Sequence, residues 1–296
     1  MKYTQILEMC SAAGRPAVTI ELMPPRVRKS FDGFYKAVDA AAPLADMLSL
    51  TESPGAKFDM NNLIPAYVTK QKGPEIMFHI TCRDATQRQA MGGVAAAYRH
   101  GIENVLILRG DEPGQAPRYK HSWQMIEEIA KMNGGLFPDG KRGTPLDMCI
   151  GCAVNPIVKN LEVEILHGNR LAGKAKAGAH FAVTQMFFEP QQYLDCLSIM
   201  RRGGINMPLI AGILIIENEG MIKYLEEDLS GIRVPDNIKA EFRGKSNEAA
   251  AALGLERAKS TVTELRNVLP GVHIYNGASP AALELARYVR QVRKSD

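Results

Sequence analysis

The sequence predicts an α/β protein folded as a single eight-stranded β/α (TIM) barrel. Three observations predict it: eight short apolar segments that read as strands, helical patterns after most of them, and polar or Gly- and Pro-marked exits at the strand ends. A chain of 296 residues can fill one such barrel or two smaller domains. No linker or low-complexity stretch divides it, so one catalytic domain over residues 1–296 is expected.

Residues 2–14 read as a short helix with Ile6, Leu7 and Cys10 inward, stopped by Gly14. Val18, Thr19 and Ile20 form a buried strand whose end carries Glu21; Pro24 and Pro25 have no amide hydrogen to give a neighbour, so the sheet stops there. Helical spacing over 31–42 sets Phe34, Val38 and Ala41 on one face, and 45–50 is the second strand, leaving at Thr51 and Glu52. A helix over 59–70 precedes the third strand, 76–80, which exits through Thr81, Cys82, Arg83 and Asp84. The Ala-rich helix over 85–100 ends at Gly101.

The fourth strand, 104–108, runs straight into Arg109, Gly110 and Asp111, an apolar run handing over to a charged turn. A helix over 122–132 and a glycine-rich loop or small hairpin over 134–144 come next, then strand 148–154, helix 161–177 and strand 181–185. After a helix over 191–202 comes the seventh strand, 208–214, and helical patterns return over 221–229 and 247–265. Residues 273–275 form the eighth strand, closed by Asn276 and Gly277, and 280–292 the last helix.

With 46% apolar and 23% charged residues, the composition is that of an ordinary globular protein, and a net charge of +4 is too small and dispersed to argue for nucleic acid. No apolar run approaches the roughly 20 residues that span a membrane, and no secretory signal is evident, so the cytoplasm is the expected compartment. Five scattered cysteines make no disulfide framework.

In a β/α barrel, ligands collect at the C-terminal ends of the strands. Glu21, Thr51, His79, Asp111, Gln185 and Tyr275 are all at or near such ends and can converge. Two carboxylates at one mouth, Glu21 and Asp111, can divide acid and electrostatic roles, because two nearby like charges resist ionising together. Glu21, beside the Pro24–Pro25 wall, is the better general acid; a surface salt bridge is the plain alternative. Gln185 can both donate and accept, which suits the polar edge of a heterocycle. Arg109 can offset negative charge on an electron-accepting ring or simply pair with Asp111. Phe187 is a candidate substrate contact, with packing as its plain alternative, and His79 is a ligand donor or a satisfied core histidine. Cys149 and Cys152 have knuckle spacing but no second pair, so no metal is assigned. There is no glycine-rich dinucleotide turn and no phosphate loop, so barrel loops must hold any nucleotide cofactor.

Several blocks together carry a family resemblance. Glu21-Leu22-Met23-Pro24-Pro25-Arg26, His79-Ile80-Thr81-Cys82, Leu108-Arg109-Gly110-Asp111, residues 174–179 and Thr184-Gln185-Met186-Phe187-Phe188-Glu189 resemble the successive blocks of methylenetetrahydrofolate reductases, over nearly the whole chain. The resemblance implies a flavin-containing barrel that reduces 5,10-methylenetetrahydrofolate to 5-methyltetrahydrofolate. It implies Glu21 as the acid that opens the bridged ring, Asp111 as an electrostatic partner near folate and flavin, and Gln185 as a folate contact. Thr51, His79, Arg109, Gly110 and Lys174 would hold the flavin and its phosphates.

The sequence also departs from the family. Leu22 and Met23 stand where many relatives carry aromatic residues. Val154 and Val158 stand where some carry the Tyr and His near adenine, which leaves FAD and FMN both open. Glu219 stands near the place of an aromatic residue in NADH-using members. NADH, NADPH or an electron-delivering protein subunit are therefore all open as the electron source, as is a homo-oligomer. A flavin-free pterin-binding or methyltransferase-associated barrel is the alternative function.

Overall fold

The structure is a computed structural model. It describes residues 1–296 apart from 29, 53–59, 84–85, 111–118, 158–160, 228–231, 278 and 295–296, and apart from the side chains of 161–163. The chain opens with α1 (Tyr3–Ala12), β1 (Ala17–Leu22), α2 (Asp32–Ala41), β2 (Met47–Leu50), α3 (Leu63–Gln71) and β3 (Ile76–Thr81). It continues with α4 (Gln87–Arg99), β4 (Asn104–Leu108), α5 (Ser122–Asn133), β5 (Cys149–Val154), α6 (Leu161–Lys176) and β6 (Phe181–Thr184). The last third holds α7 (Pro190–Arg202), β7 (Leu209–Ile213), α8 (Glu219–Glu227), α9 (Asp236–Phe242), α10 (Asn247–Leu265), β8 (Gly271–Ile274) and α11 (Pro280–Gln291).

The eight strands pair in parallel in sequence order, and β1 pairs with β8 to close the ring. Side chains along each strand therefore alternate between two destinations. Val18, Ile20, Leu48, Ile107, Ile150 and Ala211 face outward into one large core shared with helix faces such as Phe34, Val38 and Ala41 of α2. Ala17, Met47, Met77, Leu106, Phe181, Val183 and Ile210 belong to a second, inner cluster together with Tyr3, Ile6, Leu7 and Cys10 of α1.

Helix α1 plugs the N-terminal end of the ring. Thr19 Oγ1 donates to Tyr3 Oη at 2.8 Å, and Tyr3 N donates to Asn104 Oδ1 at 2.6 Å. The Tyr3 ring meets Phe181 edge-on, with centroids 4.9 Å apart. These groups are fully buried, and their hydrogen bonds offset the cost of burying polar atoms.

Helix starts follow local chemistry. Thr86 Oγ1 accepts from Gln89 N at 3.3 Å while Gln89 Oε1 accepts from Thr86 N at 3.1 Å, a reciprocal cap for α4. Ser279 Oγ accepts from Ala282 N at 3.1 Å, with Pro280 in the first turn of α11.

Some boundaries differ from the sequence reading for identifiable reasons. β1 runs on to Leu22, because Glu21 and Leu22 pair with Ser49 and Leu50. Glu21 is thus inside the strand, and the sheet stops just before the prolines. β8 starts at Gly271, where a side chain would stand 3.1 Å from Tyr3 Oη, so packing against α1 demands a residue with low strand propensity. α9 was not foreseen: it is a seven-residue helix whose Ile238 and Phe242 pack under the α8 segment. The 134–144 stretch is a small hairpin with an antiparallel bridge between Leu136 and Arg142.

Cys149 belongs to the inner cluster and Cys152 to the outer, since a spacing of three along a strand sends side chains to opposite faces. Burial pushes the Cys152 thiol up to about 11. All five cysteines are free and buried.

Gly151 exists to make room. It pairs with Phe181 across β5 and β6, and a Cβ there would lie 2.3 Å from the Phe181 ring and 3.1 Å from Leu106. Gly151→Ala is expected to destabilise the barrel by about 1–3 kcal/mol through overpacking, measured as a lower denaturant midpoint with an unchanged slope. An unchanged midpoint would show that the Phe181 ring can yield without cost.

Candidate active site

The C-terminal end of the barrel opens into a cavity of about 820 Å³. That volume lies within the range of small-molecule and cofactor sites. Beneath it runs a belt of polar side chains from adjacent inward positions, of which Glu21 and His79 line the cavity itself. Glu21 on β1 places Oε2 3.2 Å from His273 Nε2 on β8. On β2, Ser49 Oγ lies 2.6 Å from His79 Nε2 of β3. The two imidazoles are 6.4 Å apart and near-parallel, and Tyr275 meets His273 edge-on at 4.8 Å.

The electrostatics of the belt follow from its burial. Desolvation pushes His79 down to about 4, outweighing the attraction of Glu21 for its charged form, so the ring is neutral at pH 7. Burial likewise holds the Tyr275 phenol well above its ordinary value, with the Glu21 charge adding to the effect. Its hydroxyl stays protonated and donates to Thr184 O at 2.9 Å. Thr51 Oγ1, His79 Nδ1 and His273 Nδ1 are buried without a hydrogen-bond partner. Native structures rarely leave such atoms unsatisfied, and the two on residues that line the cavity, Thr51 and His79, mark places for a ligand to bond.

Among the described residues, the walls carry more positive than negative side chains. Arg83 follows β3, Arg109 follows β4, and Arg170 and Lys174 come from α6 after β5, whereas Glu21 stands on the β1–β8 side. Arg26 also lines the cavity, after β1. Lys174 Nζ donates to Ala153 O at 2.6 Å, which anchors it at the end of β5. Gly110 adopts φ +90, a conformation that favours glycine, and a Cβ there would lie 3.0 Å from Arg83 Cβ. On the β2–β3 side, Glu52 Oε2 accepts from Thr81 N at 2.6 Å.

Of the residues expected at the site, Glu21, Thr51, His79, Arg109, Gly110, Lys174 and Gln185 all line this one cavity. Gln185 N donates to Val154 O at 2.7 Å, which sets its side chain at the β5–β6 edge. Asp111 and Val158 lie outside the described residues. Phe187 does not line the cavity: it is 3% exposed and packs on Tyr193, with ring centroids 5.8 Å apart. β6 ends at Thr184, so strand alternation no longer decides where Phe187 points. Glu219 sits in the first turn of α8 and accepts from Gly244 N at 3.5 Å, while Met221 and Tyr224 of that helix line the cavity.

Sequence reasoning missed His273, Ser49, Arg83, His167 and Arg170. His273 was readable, since it lies two residues before the strand-exit candidate Tyr275 and must share its face. His167 and Arg170 were readable from their helical spacing to Lys174. Ser49 and Arg83 carried no signal beyond their place near a strand end.

With this geometry in view, comparison with known proteins identifies the lineage. Residues 2–286 match the family model described as methylenetetrahydrofolate reductase. The chain belongs to the methylenetetrahydrofolate reductase family. It is 25% identical over 246 residues to the 5,10-methylenetetrahydrofolate reductase of Salmonella typhimurium, covering 81% of this chain and 78% of that one. It is 26% identical over 272 residues to a probable methylenetetrahydrofolate reductase (NADPH) of Caenorhabditis elegans, covering 87% of this chain and 39% of that one. Methylenetetrahydrofolate reductase 2 of Saccharomyces cerevisiae is 27% identical, with 100% of this chain and 54% of that one covered. The chain thus spans well under two thirds of the nematode and yeast proteins.

Among solved structures, an uncharacterized protein from Clostridium thermocellum that binds two copies of 5-methyl-5,6,7,8-tetrahydrofolic acid superposes with a TM-score of 0.69 at 12% identity, covering 97% of this chain and 98% of that one. A tryptophan synthase from M. tuberculosis superposes at 0.57 with 11% identity over 98% of both chains. These similarities are of fold.

The buried His79 imposes a pH dependence on this family member. Between the ordinary imidazole value near 6.5 and the folded value near 4, the unfolded chain takes up a proton that the folded chain refuses. Stability contributed by the neutral ring is therefore complete above about pH 6.5 and lost as pH falls toward 4, on the order of 3 kcal/mol. Imidazole-resolved NMR is expected to show no His79 titration between pH 5 and 8. A midpoint near 6.5 would contradict the burial argument.

Proposed function

We propose that the protein reduces 5,10-methylenetetrahydrofolate to 5-methyltetrahydrofolate through a bound flavin, with the chain working as one catalytic unit in the cytoplasm. The observation that carries this reading is Glu21 at the floor of the cavity, backed by the buried His273 and facing a described lining with more positive than negative side chains, in a chain of this family. The name of the Salmonella relative and the folate bound by the C. thermocellum protein support the substrate.

The residues present fit a flavin. Thr51 Oγ1 and His79 Nδ1 are buried polar atoms that lack partners and sit where a ring edge can bond them. Gly110 removes a side chain from the strand exit beside Arg83, so a flat ring can approach the backbone. Arg109 and Lys174 supply positive charge for a reduced ring and for phosphate. When bound, the flavin supplies hydride chemistry; the protein supplies position, charge and a proton.

Glu21 delivers that proton. The substrate carries a methylene bridge between N5 and N10, and protonating N10 lets the C–N10 bond break and leaves a reactive iminium at N5. Glu21 enters the step protonated and leaves it ionised. With its ring proton on Nε2, His273 donates to the carboxylate that remains, across the 3.2 Å contact. The neutral state of His79 and the protonated state of Tyr275 keep further charge out of the belt. In this reading Gln185 hydrogen-bonds the pterin from the β5–β6 edge, and Asp111 tunes the charge near folate and flavin.

Anaerobic mixing of the flavin-loaded protein with 5-methyltetrahydrofolate is expected to bleach the oxidised flavin band; a stable band with flavin still bound would sink the reading. A parallel screen with NADH and NADPH tests direct nicotinamide use against delivery by a partner subunit. Glu21→Gln keeps the shape and removes the acid. It is expected to retain flavin while folate turnover falls by about 100-fold or more, and turnover equal to wild type would defeat the assigned role.

A further inference from the structure

The exits of β2 and β3 bring a second carboxylate into the cavity, apart from Glu21. Glu52 lines the cavity immediately after Thr51, and its Oε2 accepts from Thr81 N at 2.6 Å. An ionised carboxylate accepts such a bond well, and the bond ties the group to the end of β3. The corner is fixed from behind: the buried Asn62 donates from Nδ2 to Leu50 O at 3.3 Å and to His79 O at 3.0 Å. Gly110 opens onto the same corner, since a Cβ built on it would lie 3.5 Å from Thr81 Cβ. The thiol of Cys82, the residue after Thr81, senses the mixture of charge there. Burial pushes it up to about 12; the charge of Lys174 opposes that shift, the charge of Glu52 adds to it, and Arg109 opposes it again. One negative group and two positive ones therefore act on one corner of the cavity, where Thr51 and His79 present buried polar atoms without partners among the described residues.

We propose that Glu52 sets the reduction potential of the bound flavin, as a fixed negative charge that opposes the charge the ring gains on reduction. The inference rests on the flavin reading above. Reduction brings two electrons and one proton to the ring, together as a hydride from a nicotinamide donor or separately from a redox protein, and leaves one negative charge until a second proton arrives. Cations beside the ring favour that charge, and a carboxylate beside it disfavours it. At an effective dielectric constant of about 20, unit charges several Å apart still interact by more than the thermal energy. Glu52 thus offsets part of the pull of Arg109 and Lys174, and holds the potential lower than those cations alone would. A lower potential makes the reduced ring a stronger hydride donor to the iminium, and it calls for a stronger electron source.

The test is the two-electron midpoint potential of the full-length, flavin-loaded protein, measured anaerobically against a reference dye without folate, for wild type, Glu52→Gln and Glu52→Asp. Glu52→Gln keeps an oxygen for Thr81 N and removes the charge. It is expected to hold oxidised flavin about as tightly as wild type and to favour the reduced form about tenfold more, a rise of about 30 mV for a two-electron couple. Glu52→Asp keeps the charge and is expected to lie closer to wild type than to Glu52→Gln. An unchanged or lowered potential in Glu52→Gln, the same rise in both variants, or loss of oxidised flavin from Glu52→Gln alone would overturn the assignment while leaving the flavin reading intact. A wild-type protein that holds no flavin would overturn both.

Discussion

Closing eight parallel strands into a ring leaves each strand side chain only two places to go, inward or outward. Everything else in this molecule depends on that constraint. Outward positions are apolar because helices cover them, and inward positions grade from apolar at the α1 end to polar at the open end. The polar belt is the last layer of this gradient, where strand alternation still fixes direction but the helix plug no longer reaches. Glu21, Ser49, His79 and His273 come from adjacent strands, so their contacts are set by sheet register rather than by mobile loops. A carboxyl group held in this way keeps its geometry without support from any one loop.

The charges above the belt come from a different source. Arg109 leaves a strand, Lys174 and Arg170 descend from a helix, and Arg83 follows the third strand. With Arg26 after β1, they give the described lining more positive than negative side chains, and Glu21 and Glu52 are its carboxylates. Such a field favours an anionic ligand.

Much of this was legible in the sequence because the relevant signals were local. The Leu106-Ile107-Leu108 run into Arg109 and Gly110 announced a strand exit, and the Pro24–Pro25 pair fixed where the first strand had to end. Glu21, Thr51, His79 and Gln185 could be gathered once eight strands were counted. What escaped depended on distant partners. Gly271 is a strand residue because Tyr3, far off in sequence, needs its space. Phe187 was set by packing on Tyr193 after the strand had ended. His273 looked like part of a strand core until its neighbour across the seam of the barrel proved to be a carboxylate.

The α1 plug has a consequence for traffic. Thr19, Tyr3 and Asn104 tie a helix across one end of the ring, and the inner cluster behind it is packed with side chains. The floor of the cavity is then closed at the α1 end. In the proposed reaction, two molecules that must each meet the same face of a bound flavin could not approach through that end and would take turns at the open one, the first departing before the second takes its place.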